Sequence, residues 1–222
     1  MSSLSYVKTG IGPFDDKYNG LKLGLLYLIS GEEKSGKTSL ALQVACIASR
    51  SNFKSYLLDC GGHVHYLRLS KIARNWNADL SQIRIAHPQN FNEQERAITW
   101  VADNAPAGSL VIVDDFTYLH RIQMSGNVSA DKALFHSLAF QIAYLKEACK
   151  TRDLTSILIT EVHDIPVEGV TKPVASVIAT YFSDVHLSMI SESYNVKILK
   201  VISGIPPGEF RIIIHDGGIR EA

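Results

Sequence analysis

Residues 31–38 read GEEKSGKT, a full match to G-x-x-x-x-G-K-[ST] through Gly31, Glu32, Glu33, Lys34, Ser35, Gly36, Lys37 and Thr38. Each fixed position has a chemical reason. The glycines let backbone N–H groups close around phosphate oxygens, and the start of the following helix adds a favourable dipole. Lys37 would reach the β- and γ-phosphates of a nucleoside triphosphate, Thr38 would give its hydroxyl to Mg²⁺, and Ser39 extends the binding set into the helix. The other half of such a site is a carboxylate at the end of a buried strand, holding the water shell of the metal. LVIVDD supplies it: Asp114 follows the apolar run directly, with Asp115 beside it. Asp114 either serves the metal or caps its strand. Together these residues point to ATP and Mg²⁺ as the bound groups.

The loop works only between a strand and a helix, and the pattern places it there. Residues 22–30 (KLGLLYLIS) read as a buried strand, and 36–50 as a helix with Leu40, Val44 and Ile47 on one face. A second strand at 55–59 leads to a helix through Leu67, Ile72 and Ala73; a third strand at 82–86 leads to a helix at 93–103. Residues 110–113 are continuously apolar, as a central parallel strand covered on both faces should be. The clearest helix runs over 131–150, with Leu134, Leu138, Ile142, Leu145 and Cys149 in a stripe. Another central strand spans 156–159. Stretches 184–189, 196–201 and 210–214 then alternate or run apolar, with a Pro206-Pro207-Gly208 turn between the last two, and read as antiparallel strands finishing the sheet edge. The fold class is α/β, with a mostly parallel central sheet flanked by helices and antiparallel C-terminal strands.

A chain of 222 residues, 46% hydrophobic, suits one α/β core spanning 1–222. No apolar run is long enough to span a membrane, and MSSLSYVKTG lacks the features of a secretory signal, so cytoplasmic residence without a membrane partner is expected. Cys46, Cys60 and Cys149 are scattered among apolar neighbours and read as reduced core residues. Lys plus Arg and Asp plus Glu number 22 each. That balance argues against autonomous coating of nucleic acid, which calls for a basic excess or stripe, while leaving room for a small basic patch.

The order of these features resembles the RecA/RadA recombinase core, and most closely the short archaeal paralogue family RadB. KTGIGPFDD resembles the entry segment, YLLDCGG the second strand and acidic turn, and HPQNFNEQERAI the join of third strand and third helix. VTKPVA, after ILITEVH, resembles the end of a second DNA-binding loop. The likeness runs from about Val7 to Glu221. It implies a P-loop NTPase of RecA type with residues 1–20 as entry segment. It also implies no separate N-terminal DNA-binding domain and no aromatic-x-x-Ala polymerisation segment.

Departures from the family are informative. Where the family carries a water-activating glutamate, this chain has Gly61; where it carries a γ-phosphate-sensing glutamine, this chain has Glu161. Glu161 either takes over part of the water-positioning role or leaves the site nearly inactive. Arg68 matches an arginine that stacks on adenine in the family, or is a solvated helix residue. Only Lys200 stands where the family places basic residues toward a neighbour's nucleotide. His63 and His65 form an H-x-H either as a partial metal pair or as polar turn residues, and His163 and Asp164 follow Glu161 as phosphate or DNA contacts or as loop filling. The stretch from Arg121 to Ser129 (RIQMSGNVS) matches the first DNA-binding loop of the family, and with the loop from Asp164 to Lys172 offers a thin basic surface. The expectation is an ATP-binding recombinase paralogue of DNA repair and recombination. It would regulate or mediate a recombinase or a junction-processing enzyme, with at most weak, DNA-independent ATPase and no strand exchange. The alternative is a KaiC-like nucleotide-gated module that switches protein partners without touching DNA.

Overall fold

A computed structural model describes residues 5–161 and 174–222. The chain forms β1 (Tyr6–Val7), α1 (Gly12–Tyr18), β2 (Leu21–Lys22), β3 (Leu26–Gly31) and α2 (Lys37–Ser49). Next come β4 (Ser55–Asp59), α3 (Tyr66–Trp76), β5 (Ile83–Ala86), α4 (Phe91–Asn104) and β6 (Leu110–Asp114). Then follow α5 (Tyr118–Gln123), α6 (Val128–Arg152), β7 (Thr155–Glu161) and α7 (Val174–Phe182). Four strands end it: β8 (Val185–Ser191), β9 (Val196–Ser203), β10 (Glu209–His215) and β11 (Gly218–Glu221). A nine-stranded sheet has the order β11-β10-β9-β8-β3-β7-β6-β4-β5, and β1 pairs with β2 in a small separate ribbon.

The sheet is parallel from β8 through β5 and antiparallel from β8 to β11, the mixed α/β architecture expected. One boundary differs. The 184–189 stretch was expected among the antiparallel strands, yet β8 runs parallel to β3, with Tyr27 opposite Val185, and only its far side meets β9 antiparallel. Helix α7 carries the chain back across the sheet before β8, which makes that parallel pairing possible. The strand expected at 22–30 divides in two, because Gly24 at φ +79° turns the chain between β2 and β3.

Helices cover both faces, so central strands have no solvent side. Tyr27, Ile29, Leu57 and Ile112 pack with α2 and α3, while Leu28, Leu58, Val111 and Val113 pack with α4 and α6. That two-sided burial is why β3, β4 and β6 read as unbroken apolar runs rather than alternating ones. Helix α2 is buried nearly all round, Ala41, Leu42, Ala45 and Cys46 included, so its expected single apolar face was too narrow. Helix α4 starts at Phe91, earlier than expected, since the Asn90 side chain accepts the Glu93 N–H at 2.9 Å and the Glu93 carboxylate accepts the Gln89 N–H at 2.8 Å. The stripe on α6 faces inward, with Leu138, Ile142, Leu145 and Cys149 fully buried. All three cysteines are buried, and burial pushes the Cys46 thiol up to about 12 and the Cys149 thiol to about 11. Among the described residues no helix is long and apolar enough to cross a membrane.

Candidate functional site

The C-terminal ends of β3, β6, β7 and β4 come together around the loop that precedes α2. Two glycines let that loop sit so close to the sheet. A Cβ on Gly31 would lie 2.3 Å from the Met189 carbonyl oxygen of β8. One on Gly36, at φ +98°, would lie 2.3 Å from Ile214 Cδ1 of β10. Lys37 is 6% exposed and folds back onto its own loop, donating to the carbonyls of Gly31 at 2.8 Å and Glu32 at 2.6 Å. Burial lowers its pKa, against the opposing pull of Glu161, Asp115, Asp114 and Glu33.

Thr38, the second residue of α2, donates its hydroxyl to Asp114 Oδ2 at 2.6 Å, so the loop and the end of β6 meet side chain to side chain. Asp114 is 1% exposed, and its other oxygen, Oδ1, is buried without a hydrogen-bond partner. A hydroxyl beside a carboxylate with one oxygen unused suits a hard cation that draws its remaining ligands from phosphate and water. Among the described residues no cluster of three or more His, Cys, Asp or Glu would cage a metal by itself. The residues present therefore fit a nucleotide-bound Mg²⁺ better than an all-protein metal centre.

The facing wall is the turn after β4. Asp59 winds it tightly, accepting the N–H of His63 at 2.8 Å and of Val64 at 3.1 Å. Cys60 and Gly61 donate their N–H groups to the Asp114 carbonyl at 2.6 and 3.1 Å. A Cβ on Gly61 would meet the His63 imidazole at 2.8–3.0 Å, so the histidine ring fills the space a side chain at 61 would take. His63 Nδ1 lies 3.8 Å from Asp114 Oδ1, and that carboxylate raises the histidine pKa despite partial burial. His65 stands at the N-terminal boundary of α3 and does not line the cleft, so the two histidines are turn residues and do not share a strand face.

The third wall is the end of β7, where Glu161 pairs in register with Gly31. Arg121 from α5 places one guanidinium nitrogen 3.5 Å from Glu161 and 3.2 Å from Asp115. Asp115 is 0% exposed and also accepts the N–H and hydroxyl of Thr117. Burial raises its pKa, while Arg121 and Thr117 pull it down. Arg121 thus joins two carboxylates beside the site, rather than projecting from a loose basic loop. The rest of the stretch through Ser129 is exposed, and its turn is closed by Asp131, which accepts the N–H groups of Ser125 and Gly126.

These walls enclose an open cleft of about 330 Å³ lined by Glu33, Lys34, Gly36, Lys37, Thr38, Ser39, His63, Arg68, Asp114, Glu161 and Ile214. Gly31 and Ser35 are buried on the inner side of the loop, while Glu32 is exposed and turns its carbonyl to Lys37. Arg68 sits at the rim, donating to the Ser39 hydroxyl at 3.1 Å, with its pKa lowered by burial. Lys200 pairs with Glu209 at 3.6 Å, away from the cleft lining. His163, Asp164 and the loop through Lys172 lie outside the described residues. Sequence reasoning named His63 only as half of a partial metal pair or as a turn residue, and did not name Ile214 at all. The glycine pair before His63 was a local hint, whereas Ile214 arrives from β10 with no signal in its own neighbourhood.

Comparison with known proteins agrees with the fold. The family model described as Zonular occludens toxin (Zot) matches residues 25–162, from the strand before the loop to just past Glu161. A DNA repair and recombination protein RadB from Halobacterium salinarum is 24% identical over 163 residues, covering 71% of this chain and 68% of that protein. The RadB protein of Thermococcus kodakarensis is 29% identical over 161 residues, 70% of each chain. A crystal structure of the RadB recombinase superposes with a TM-score of 0.80 at 23% identity, over 97% of this chain and 99% of the other.

Proposed function

We propose, on the premise that this chain belongs to the RecA/RadA recombinase superfamily, most like RadB, and to the family of the matching Zot model, that it is an ATP-binding recombinase paralogue of DNA repair. It binds ATP with Mg²⁺, hydrolyses it slowly, and regulates or mediates a recombinase or junction-processing enzyme. The observation that carries the ATP–Mg²⁺ part of this reading is the 2.6 Å contact between Thr38 and Asp114 in the cleft that Lys37 lines.

Each residue has a task in that chemistry. The loop N–H groups and Lys37 would hold the β- and γ-phosphates, the Lys37 ammonium now donating to the Gly31 and Glu32 carbonyls. Thr38 and Asp114 are the residues that would hold Mg²⁺, which when bound neutralises charge on the phosphates. Arg121 offsets the Glu161 carboxylate, reducing its repulsion of the terminal phosphate. Gly61 offers no side chain to activate water, which supports slow turnover.

Titration of a fluorescent ATP analogue with Mg²⁺ tests the site. Lys37→Ala should weaken binding by about tenfold to a hundredfold, the scale of one or two charged hydrogen bonds. Equal affinity in wild type and variant would remove Lys37 from the site and the reading with it. Contact with DNA is tested by electrophoretic mobility at low salt and its loss as salt rises. Unchanged mobility, with nucleotide-dependent capture of protein partners, would favour the KaiC-like switch.

A further inference from the structure

We propose that His63 takes over the water-positioning role left open at Gly61, holding the attacking water against the terminal phosphate. The inference rests on the reading of the cleft as an ATP–Mg²⁺ site.

In-line displacement needs a water on the side of the phosphorus opposite the leaving oxygen. With the phosphates cradled by the loop and Lys37, the attacking water would be held by the facing wall. Four side chains line the cleft away from the loop and carry polar groups: His63, Arg68, Asp114 and Glu161. Arg68 has only donors and is bonded to Ser39 at the rim. Asp114 is committed to Thr38 and the cation position, and Glu161 is paired with Arg121. The His63 ring lines the cleft and its nitrogens can hydrogen-bond a water, which suits it to orient one.

The His63 ring is also held in place. Its backbone N–H is fixed by Asp59 at 2.8 Å, and its ring lies against the open face of Gly61. The missing side chain at 61 is therefore what lets the histidine ring reach the cleft. In the reaction, the water oxygen bonds to the γ-phosphorus as the bond to the β–γ bridging oxygen breaks. The bridging electrons stay on ADP and the water proton ends on a phosphate oxygen, giving ADP and dihydrogen phosphate. His63 orients the water and needs no net change of its own protonation.

The test uses the full chain and three variants, with circular dichroism melts to confirm folding: His63→Ala, His63→Gln, and Gly61→Glu combined with His63→Ala. Three quantities are read: affinity for an ATP analogue with Mg²⁺, affinity for ADP with aluminium fluoride as a transition-state mimic, and phosphate release in a single turnover. His63→Ala should keep ATP affinity within about twofold, yet lose about tenfold or more in both release and mimic affinity. His63→Gln should recover to within about fivefold of wild type, because an amide also accepts and donates. The double variant should regain release by placing a carboxylate in the vacated space. Unchanged release and mimic affinity in His63→Ala would overturn the role of His63 while ATP binding stands. A glutamine variant as impaired as alanine would overturn positioning as that role. If the wild-type chain binds no ATP with Mg²⁺, the site reading itself falls and carries this inference with it.

Discussion

Arg121 shows how one side chain can serve stability and site chemistry together. It bridges Asp115, six residues earlier and just after β6, and Glu161, forty residues later at the end of β7. Arg121→Ala leaves the fully buried Asp115 with Thr117 but no cation, and takes a positive charge from Glu161 at the cleft. Removing one partner of a buried pair is strongly destabilising, but Arg121 is partly exposed and Thr117 still satisfies Asp115. The expected loss is about 1–3 kcal/mol in denaturant unfolding. Weaker ATP binding should accompany it, since the Glu161 charge then faces the phosphates less shielded. A variant as stable as wild type, with unchanged ATP affinity, would show that this ion network does neither job.

At the scale of elements, α5 is held by an aromatic sandwich. The His120 ring is fully buried between Phe91 of α4, at 5.4 Å, and Phe135 of α6, at 4.7 Å, with neither ring nitrogen hydrogen-bonded. Burial lowers its pKa below the ordinary 6.5; Asp131 pulls the other way and Arg121 adds to the lowering. The folded chain then binds fewer protons at His120 than the unfolded chain does. Stability from this site is therefore present above about pH 6.5 and is lost as pH falls through the lowered value. His120→Phe keeps the ring packing and removes the titration. Melting curves should show wild type losing about 2–4 °C more than the variant for each kcal/mol of this effect, between about pH 7.5 and 5. His63 titrates in the opposite sense, its pKa being raised, but it is common to both proteins and drops out of the comparison. Parallel curves at every pH would contradict a neutral buried His120.

Across the whole molecule, Gln43 ties distant parts of the chain to the helix behind the phosphate loop. Its amide donates to the Thr9 carbonyl at 2.9 Å and accepts the Ile219 N–H at 2.6 Å, so α2 joins the entry segment to β11. Gly218, at φ +123°, is required beside it, since a Cβ there would lie 2.3 Å from the Gln43 oxygen. The entry segment is secured further by Asp15, which accepts the N–H groups of Thr9 and Gly10, and by Tyr18, whose hydroxyl donates to the Pro206 carbonyl. Gln43→Leu leaves a buried acceptor and a buried donor without partners. It should cost about 2–5 kcal/mol in stability, read by chemical denaturation. A loss below about 0.5 kcal/mol would mean that the entry segment and last strand do not depend on this link.

What the sequence by itself determined was short-range. GEEKSGKT names one side of a phosphate cleft because its residues are contiguous, and LVIVDD marks a buried strand because both of its faces are covered. The same local logic made the α6 stripe and most β–α units legible, though not the start of α4 at Phe91. Only tertiary structure decided which elements became neighbours. It set β8 parallel to β3, brought Ile214 under Gly36, laid His63 over Gly61 and turned Arg121 inward to Asp115 and Glu161. The physical reason is that period and propensity record the environment of a residue, buried or exposed, helical or extended. They do not record the identity of its partner, which strand pairing and helix crossovers choose for the chain as a whole.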